Sequence, residues 1–430
     1  MKRITRFIAL IVAIVLCTLC AACGFLGDGP QNTVAGDEPL SGSLASTGLC
    51  VFTLFEDAQY RAIADRFAAQ NPDVVIDDHS QGYSDSTQND LAALFEGATP
   101  PDVVFFHTGE NAAEFVKDRR FVPLDEIRQE YSGYAQDILP EAIEGANGKG
   151  KTAYAVPVRG FYEGLFVNTD LFEEYDLALP DSWKALLKAI KVFGETDIVP
   201  VAVSLSDTPH YLLDHLILAQ GGAAGFGAVP ASVGEVPESW YDAMDVLAQL
   251  YEAGAFGADS DTRSDADATA LFLEKKAAMR LDGSWLAARI VDEGDGETTV
   301  VMALPKTPGG KKRNSELIGG FTSGFYITRS AWSNERRRAA AVAFVDAMTG
   351  AESVRSLCGV GDLPAVKSAA AQGDGALAQS VQKLCAGVPV VTMPADARLD
   401  ADMWRYVTRS AVAVAAGEAD AREIFAGAFS

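Results

Sequence analysis

Apolar and polar positions in this chain come in short blocks whose period switches between about 2 and about 3.6 residues. CVFTLF (50–55) is a β-rich run, and Tyr60, Ile63, Ala64 and Phe67 follow at helical spacing until Asn71-Pro72 closes the segment. DVVIDD (73–78), a helix across Leu91, Leu94 and Phe95 that ends at Gly97, and DVVFF (102–106) continue the series. Strand, helix, strand, helix, strand predicts an α/β fold with a parallel sheet and helical crossovers. The theme returns later. VPVAVSL (199–205) precedes a helix over YLLDHLILA, and FYITR precedes a helix with Ala341, Phe344, Val345 and Met348 on one face. No internal repeat is visible. Ligands of open α/β sheets bind beyond the carboxyl ends of strands, so Phe55-Glu56-Asp57 and Phe106-His107-Thr108 are expected to point into one crevice.

The amino terminus changes this picture by adding an export address. Lys2, Arg3 and Arg6 precede an apolar run from Phe7 to Leu19, and small residues follow, the layout of a secretory signal over residues 1–22. A membrane-spanning helix would need about 20 apolar residues. Leu19-Cys20-Ala21-Ala22-Cys23-Gly24 resembles a bacterial lipoprotein box, with Cys23 as the lipidated first residue of the mature chain. The Gly-, Ser-, Asp- and Pro-rich stretch after it reads as a flexible tether over 23–48, with the folded part beginning near Leu49.

Composition excludes one class of partner. The net charge is −24 and becomes three units more negative once residues 1–22 are removed. Nucleic acid is therefore excluded as a partner, because its phosphates are held by Lys and Arg. About 400 folded residues suit two cores. Cys50, Cys358 and Cys385 lie in the folded part, and the sequence leaves open whether Cys358 and Cys385 pair or stay free.

Several segments resemble the extracellular solute-binding proteins of sugar-importing ABC transporters, the family that includes maltose-binding protein. They are PDVVFF, LFVNTDLFEEYDLALPDSWKALL, KKAAMRLDGSW (275–285), GGFTSGFYITR (319–329) and GDLPAVKS (361–368), in the family's order. The resemblance implies the two-lobe periplasmic-binding-protein fold, each lobe a sheet flanked by helices, with the ligand cleft between lobes. Carried over, lobe one is 49–158 plus 320–370 and lobe two 159–319 plus 371–430, with crossings near Val158-Arg159-Gly160, Gly319-Gly320 and Ala370. It also implies a monomer on the extracellular face of the cytoplasmic membrane, or in the periplasm where an outer membrane exists. There it would capture a carbohydrate by lobe closure and deliver it to ABC transporter permease subunits. The membrane would be reached through the lipid anchor alone.

Sugars offer flat C–H faces and rings of hydroxyls, so their sites need aromatic plates and planar polar groups. Trp285 and Tyr211 match aromatic positions of the family's cleft and Trp404 sits near a third, with core packing as the alternative for each, whereas Trp183 and Trp240 read as packing residues. Glu56, Tyr83, Phe106, His107 and Glu110 lie just past predicted strands of lobe one. Arg159 and Phe161 stand at the first crossing and Gly320 at the second; the arginine is expected either on the ligand or in an inter-lobe ion pair.

Competing chemistries are weaker. Gly145–Thr152 spells G-A-N-G-K-G-K-T, a literal phosphate-loop pattern, but its flanks read as helix, then turn, then strand, the reverse of what phosphate cradling requires. His210 and His215 are five apart and fall on different helix faces, and Asp259–Asp267 lacks the turn glycine and the final glutamate of a calcium loop, so neither metal nor cofactor is expected. A glycoside hydrolase would need two carboxyl groups about 5–9 Å apart, for which Glu56 and Glu110 are the nominees, yet nothing local singles them out. A binding protein for a phosphorylated polyol, such as a glycerol phosphodiester, would need convergent cations, and only Arg159 is well placed.

Overall fold

The computed structural model describes residues 44–82, 86–148, 150–366, 375–386 and 390–429. The predicted signal, Cys23, Tyr83 and the crossing near Ala370 lie outside them. Eleven strands are described: β1 (Thr47–Phe52), β2 (Val74–Asp78), β3 (Val103–His107), β4 (Arg159–Asn168), β5 (Val199–Ala202), β6 (Ala277–Gly283), β7 (Thr299–Met302), β8 (Glu316–Gly320), β9 (Ser323–Ile327), β10 (Leu363–Pro364) and β11 (Val390–Thr392). Pairing of Thr47 and Gly48 with Val74 and Val75 starts the first strand two residues earlier than Leu49.

One sheet has the order β2-β1-β3-β9, its first three strands parallel and β9 antiparallel to β3. Alternation along β3 divides its apolar side chains between two faces. Val103 and Phe105 join a core built with Tyr60, Ile63 and Phe67 of helix Ala58–Gln70 and with Phe344 and Val345 of helix Glu335–Thr349. Val104 and Phe106 join the opposite core, under Leu91 and Phe95 of helix Thr87–Glu96. Asp57 caps the first of these helices by accepting from the Tyr60 N–H.

The second sheet runs β11-β8-β4-β6-β5, with β7 and β10 also paired to β4. Its central strand β4 is again buried on both faces. Leu165 and Val167 face a core shared with helices Pro209–Phe226 and Glu238–Glu252; Tyr162 and Phe166 face Leu286, Ile290 and Leu377. The chain passes from the first sheet to the second at the start of β4. It returns between β8 and β9, where Phe161 pairs with Gly320 and Gly160 with Leu363. Backbones come so close here that a Cβ on Gly160 would overlap the Gly320 carbonyl, so a larger residue would push β4 and β8 apart.

Among the described residues no helix is long and apolar enough to cross a membrane. Cys50, Cys358 and Cys385 are all free thiols, which resolves the open question of pairing. The segment around the phosphate-loop pattern has the order expected from its flanks: helix Pro140–Asn147, a turn with Gly150 at φ 69°, then an extended run in which Val156 bridges Phe325. The Asn147 side chain accepts from the Tyr154 and Ala155 N–H groups and so ties the turn to that run. In the acidic loop, Arg263 is buried and its guanidinium donates to the Val203 and Phe256 carbonyls while pairing with Asp259. A buried side-chain cation thus stands in the loop where a calcium site would need an oxygen ligand.

Candidate functional site

An exposed aromatic plate forms where β6 ends. Asp282-Gly283-Ser284 turns the strand into helix Trp285–Glu293, and the Trp285 indole folds back flat over Gly283. A Cβ at 283 would overlap the indole, so only glycine permits this placement. Trp285 remains 48 % exposed, among the few large apolar side chains left open to solvent. Phe161 flanks it at 6.0 Å between ring centroids and Tyr211 at 5.9 Å, with His210 4.3 Å from Tyr211. Three of the sequence-derived candidates are thus brought together, and Gly320 is the strand partner of Phe161, with the Met393 thioether packed over it.

Beneath the plate lies a buried polar cluster that sequence reading missed. Helical spacing puts Tyr211, Asp214 and His215 on one face of helix Pro209–Phe226, and β4 points Glu163 at them. Glu163 Oε2 lies 3.6 Å from His215 Nε2, and both residues are almost fully buried. Neither of these atoms has a protein hydrogen-bond partner, nor do His215 Nδ1 and Asp214 Oδ1, while Asp214 Oδ2 accepts from the Ala395 N–H at 2.9 Å. Such groups call for a ligand hydroxyl or ordered water. A signal did exist in the sequence: YEGLFVN, LLDHLIL and MRLDG are apolar runs interrupted by charge, which in a buried element marks a built polar contact.

Burial holds this cluster in neutral forms. It pushes the Glu163 carboxyl well above its ordinary range, helped by the charges of Asp214, Asp396 and Asp282. Burial likewise raises Asp214 to about 8, against the pull of the Ala395 N–H, and lowers His215 to about 3, assisted by Lys312. Tyr211 is raised by burial and by Asp282, Glu163 and Asp265. These shifts predict a pH profile. Stability from protonated Asp214 is complete below its unfolded value of 3.8 and is lost as pH rises toward about 8. Stability from neutral His215 is complete above 6.5 and is lost as pH falls toward about 3. The opposing slopes of Asp214 and His215 cancel between these unfolded values, 3.8 and 6.5, so that the decline there is that of Glu163 above its unfolded 4.5, and Asp214 adds its own decline from 6.5 to about 8. Asp214→Asn is expected to flatten that decline in denaturant midpoints measured across it; an unchanged slope would assign it to other groups.

Other candidates fall elsewhere. Phe106 is 1 % exposed and packs edge-on against Phe115, because its position on β3 faces the inner core rather than the strand end; it lines no cleft. Trp404 is 2 % exposed and packs on Trp240 of helix Glu238–Glu252 at 5.6 Å, so it too is a core residue, on the apolar face of its own helix Ala401–Ala415. Glu56 is exposed, with its carboxylate lying over Gly82. His107 is half-buried at the end of β3, its pKa lowered by burial, and its carbonyl accepts from the Tyr326 hydroxyl. Glu110 opens helix Glu110–Lys117. Arg159 is engaged within the fold: it lies 5.0 Å over the Phe55 ring, donates to the Leu357 carbonyl at 3.0 Å and pairs with Asp362 at 3.6 Å.

Two helix-flanked sheets, with an aromatic plate beside the place where the chain passes between them, define a two-lobe binding protein. The chain belongs to the bacterial extracellular solute-binding protein family, whose model matches residues 55–355. Its members bind solutes and are not enzymes. Among solved structures it is similar to a probable secreted solute-binding lipoprotein from Streptomyces coelicolor, at 19% identity and TM-score 0.76, covering 89% of this chain and 98% of that one. A chitin oligosaccharide binding protein matches at 22% identity and TM-score 0.65, covering 88% and 97%. The GacH receptor of Streptomyces glaucescens, solved unliganded and with acarbose, matches at 18% identity and TM-score 0.60, covering 89% and 96%. At these identities the likeness establishes the fold. No curated protein sequence matches the chain.

Proposed function

We propose that this solute-binding protein captures a carbohydrate, in particular an oligosaccharide, by closure of its two lobes and hands it to the permease of an ABC transporter. The carrying observation is the Trp285 indole, exposed yet fixed flat on Gly283 between Phe161 and Tyr211, which suits a sugar's C–H face. Glu163, Asp214 and His215 beneath it hold unpartnered atoms that suit sugar hydroxyls reaching past Tyr211. The chitin oligosaccharide binding protein and the acarbose-bound GacH receptor among its structural neighbours support the same ligand class. A phosphorylated polyol is less well served, because Arg159 and Arg280 are already engaged by Asp362, Asp282 and Asp265.

In this reading lobe one comprises 49–158 and 320–370 and lobe two 159–319 and 371–430, with Gly160 and Gly320 at the hinge. Cys23 carries the lipid that keeps the mature protein at the outer face of the cytoplasmic membrane, as a monomer. Titration with a panel of neutral oligosaccharides, followed by tryptophan fluorescence and calorimetry, tests the ligand class. One panel member is expected to bind at one to one with no product formed. Binding of glycerol phosphodiesters alone would overturn the carbohydrate reading. Radiolabelled palmitate retained by the wild type and lost in Cys23→Ala checks the anchor.

A further inference from the structure

Away from the aromatic plate, the first sheet carries a second cluster of donor atoms. The parallel register sets Cys50 of β1 directly beside Asp77 of β2. His79 lies two residues beyond Asp77, so the period of a strand turns its side chain to the same sheet face, and its N–H donates to the Val51 carbonyl at 2.8 Å. The three residues each offer one ligand atom, and these atoms all lie within 4.8 Å of one another. His79 Nε2 is already 3.2 Å from Asp77 Oδ2. Cys50 is buried, and its sulfur makes only a long contact of 3.9 Å with the Thr99 carbonyl.

We infer that Cys50, Asp77 and His79 form a binding site for a divalent transition metal of the zinc class. One sulfur, one imidazole nitrogen and one carboxylate oxygen make a borderline-soft donor set that favours zinc over calcium or magnesium, which take oxygen ligands. Tetrahedral zinc, with bonds of about 2.0–2.3 Å, places its ligand atoms roughly 3.3–3.7 Å apart. Small rotations of the exposed Asp77 and His79 side chains close the difference, while buried Cys50 stays fixed. Asp102 does not complete the shell: its carboxylate accepts from the Cys50 N–H at 3.0 Å and pairs with Arg337 at 3.0 Å. The fourth position is left to water. Binding forms an S–metal bond in place of the thiol S–H, whose proton passes to solvent, and the metal fastens edge strand β2 to its neighbour.

The test uses the full chain without a polyhistidine tag, reduced, stripped with chelator, and with Cys17, Cys20 and Cys23 replaced by Ser so that the amino-terminal segment offers no thiol. Cobalt(II) is added as the spectroscopic probe, and zinc(II) is titrated against a chromophoric competitor. One equivalent of cobalt should produce a thiolate-to-cobalt charge-transfer band, abolished in Cys50→Ser. His79→Ala and Asp77→Asn, at exposed positions that leave folding intact, should each weaken zinc binding by about tenfold or more. A thiolate band of undiminished intensity in Cys50→Ser, no band at all, or zinc affinity unchanged in both His79→Ala and Asp77→Asn would overturn the site.

Discussion

Trp285→Ala is expected to weaken binding of the cognate carbohydrate by roughly 30-fold or more, about 2 kcal/mol, as removal of a central aromatic anchor does. The size of the effect follows from how the ring is held. Gly283 supports one face of the indole, Phe161 and Tyr211 flank it, and 48 % of the residue stays open to a ligand. Fixed in this way, the plate loses little side-chain freedom when a sugar arrives, and most of the contact energy appears as affinity. Trp285→Phe should recover part of the loss by keeping a flat apolar surface. Calorimetry on the ligand identified from the panel measures both, and affinity within twofold of wild type in Trp285→Ala would remove this residue from the site.

Arg280→Leu is expected to destabilise the fold by roughly 3–5 kcal/mol, the range for leaving a buried charge without its partner. Arg280 is 1 % exposed in the middle of β6 and donates from Nε to Asp282 Oδ2 at 2.7 Å and from its terminal nitrogen to Asp265 Oδ1 at 2.8 Å. Asp282 is itself 3 % exposed; burial raises its pKa and Arg280 opposes that rise. Its other oxygen accepts from the Gly283 N–H at 2.7 Å, so the pair also shapes the turn that carries Trp285. Urea denaturation measures the loss. Adding Asp282→Asn to Arg280→Leu should restore part of the stability, because the carboxylate left without its cation is then only Asp265, which solvent reaches. A double variant no more stable than the single one would show that packing, not charge, is the cause.

The period of apolar residues was sufficient for the elements of the first sheet. β2, β3 and the helices on either side of β2 fall where the alternation and the helical spacing placed them, since each buries a face the pattern defines, whereas β1 runs three residues earlier than the 50–55 run. Strand ends were harder. Phe106 sits at the end of a strand buried on both faces, where successive residues enter two cores, and its sequence position did not distinguish core from crevice. The same holds for tryptophans. Trp285 and Trp404 are chemically alike and both adjoin family-matched positions, yet one is 48 % and the other 2 % exposed. Trp404 lies on the face of its helix that packs against Trp240 of helix Glu238–Glu252, whereas Gly283 and the chain turn leave Trp285 outside.

What the sequence determined by itself is local: strand and helix periods, the Gly283 turn, and the ordered segments that resemble the solute-binding family. These depend on neighbours along the chain. Only the tertiary structure decided which charges meet. Glu163 and His215 stand 52 residues apart, and Cys50 meets Asp77 and His79 only through the register of two strands. Chain folding sets those distances, and the strength and meaning of a polar contact depend on distance and burial rather than on residue type alone.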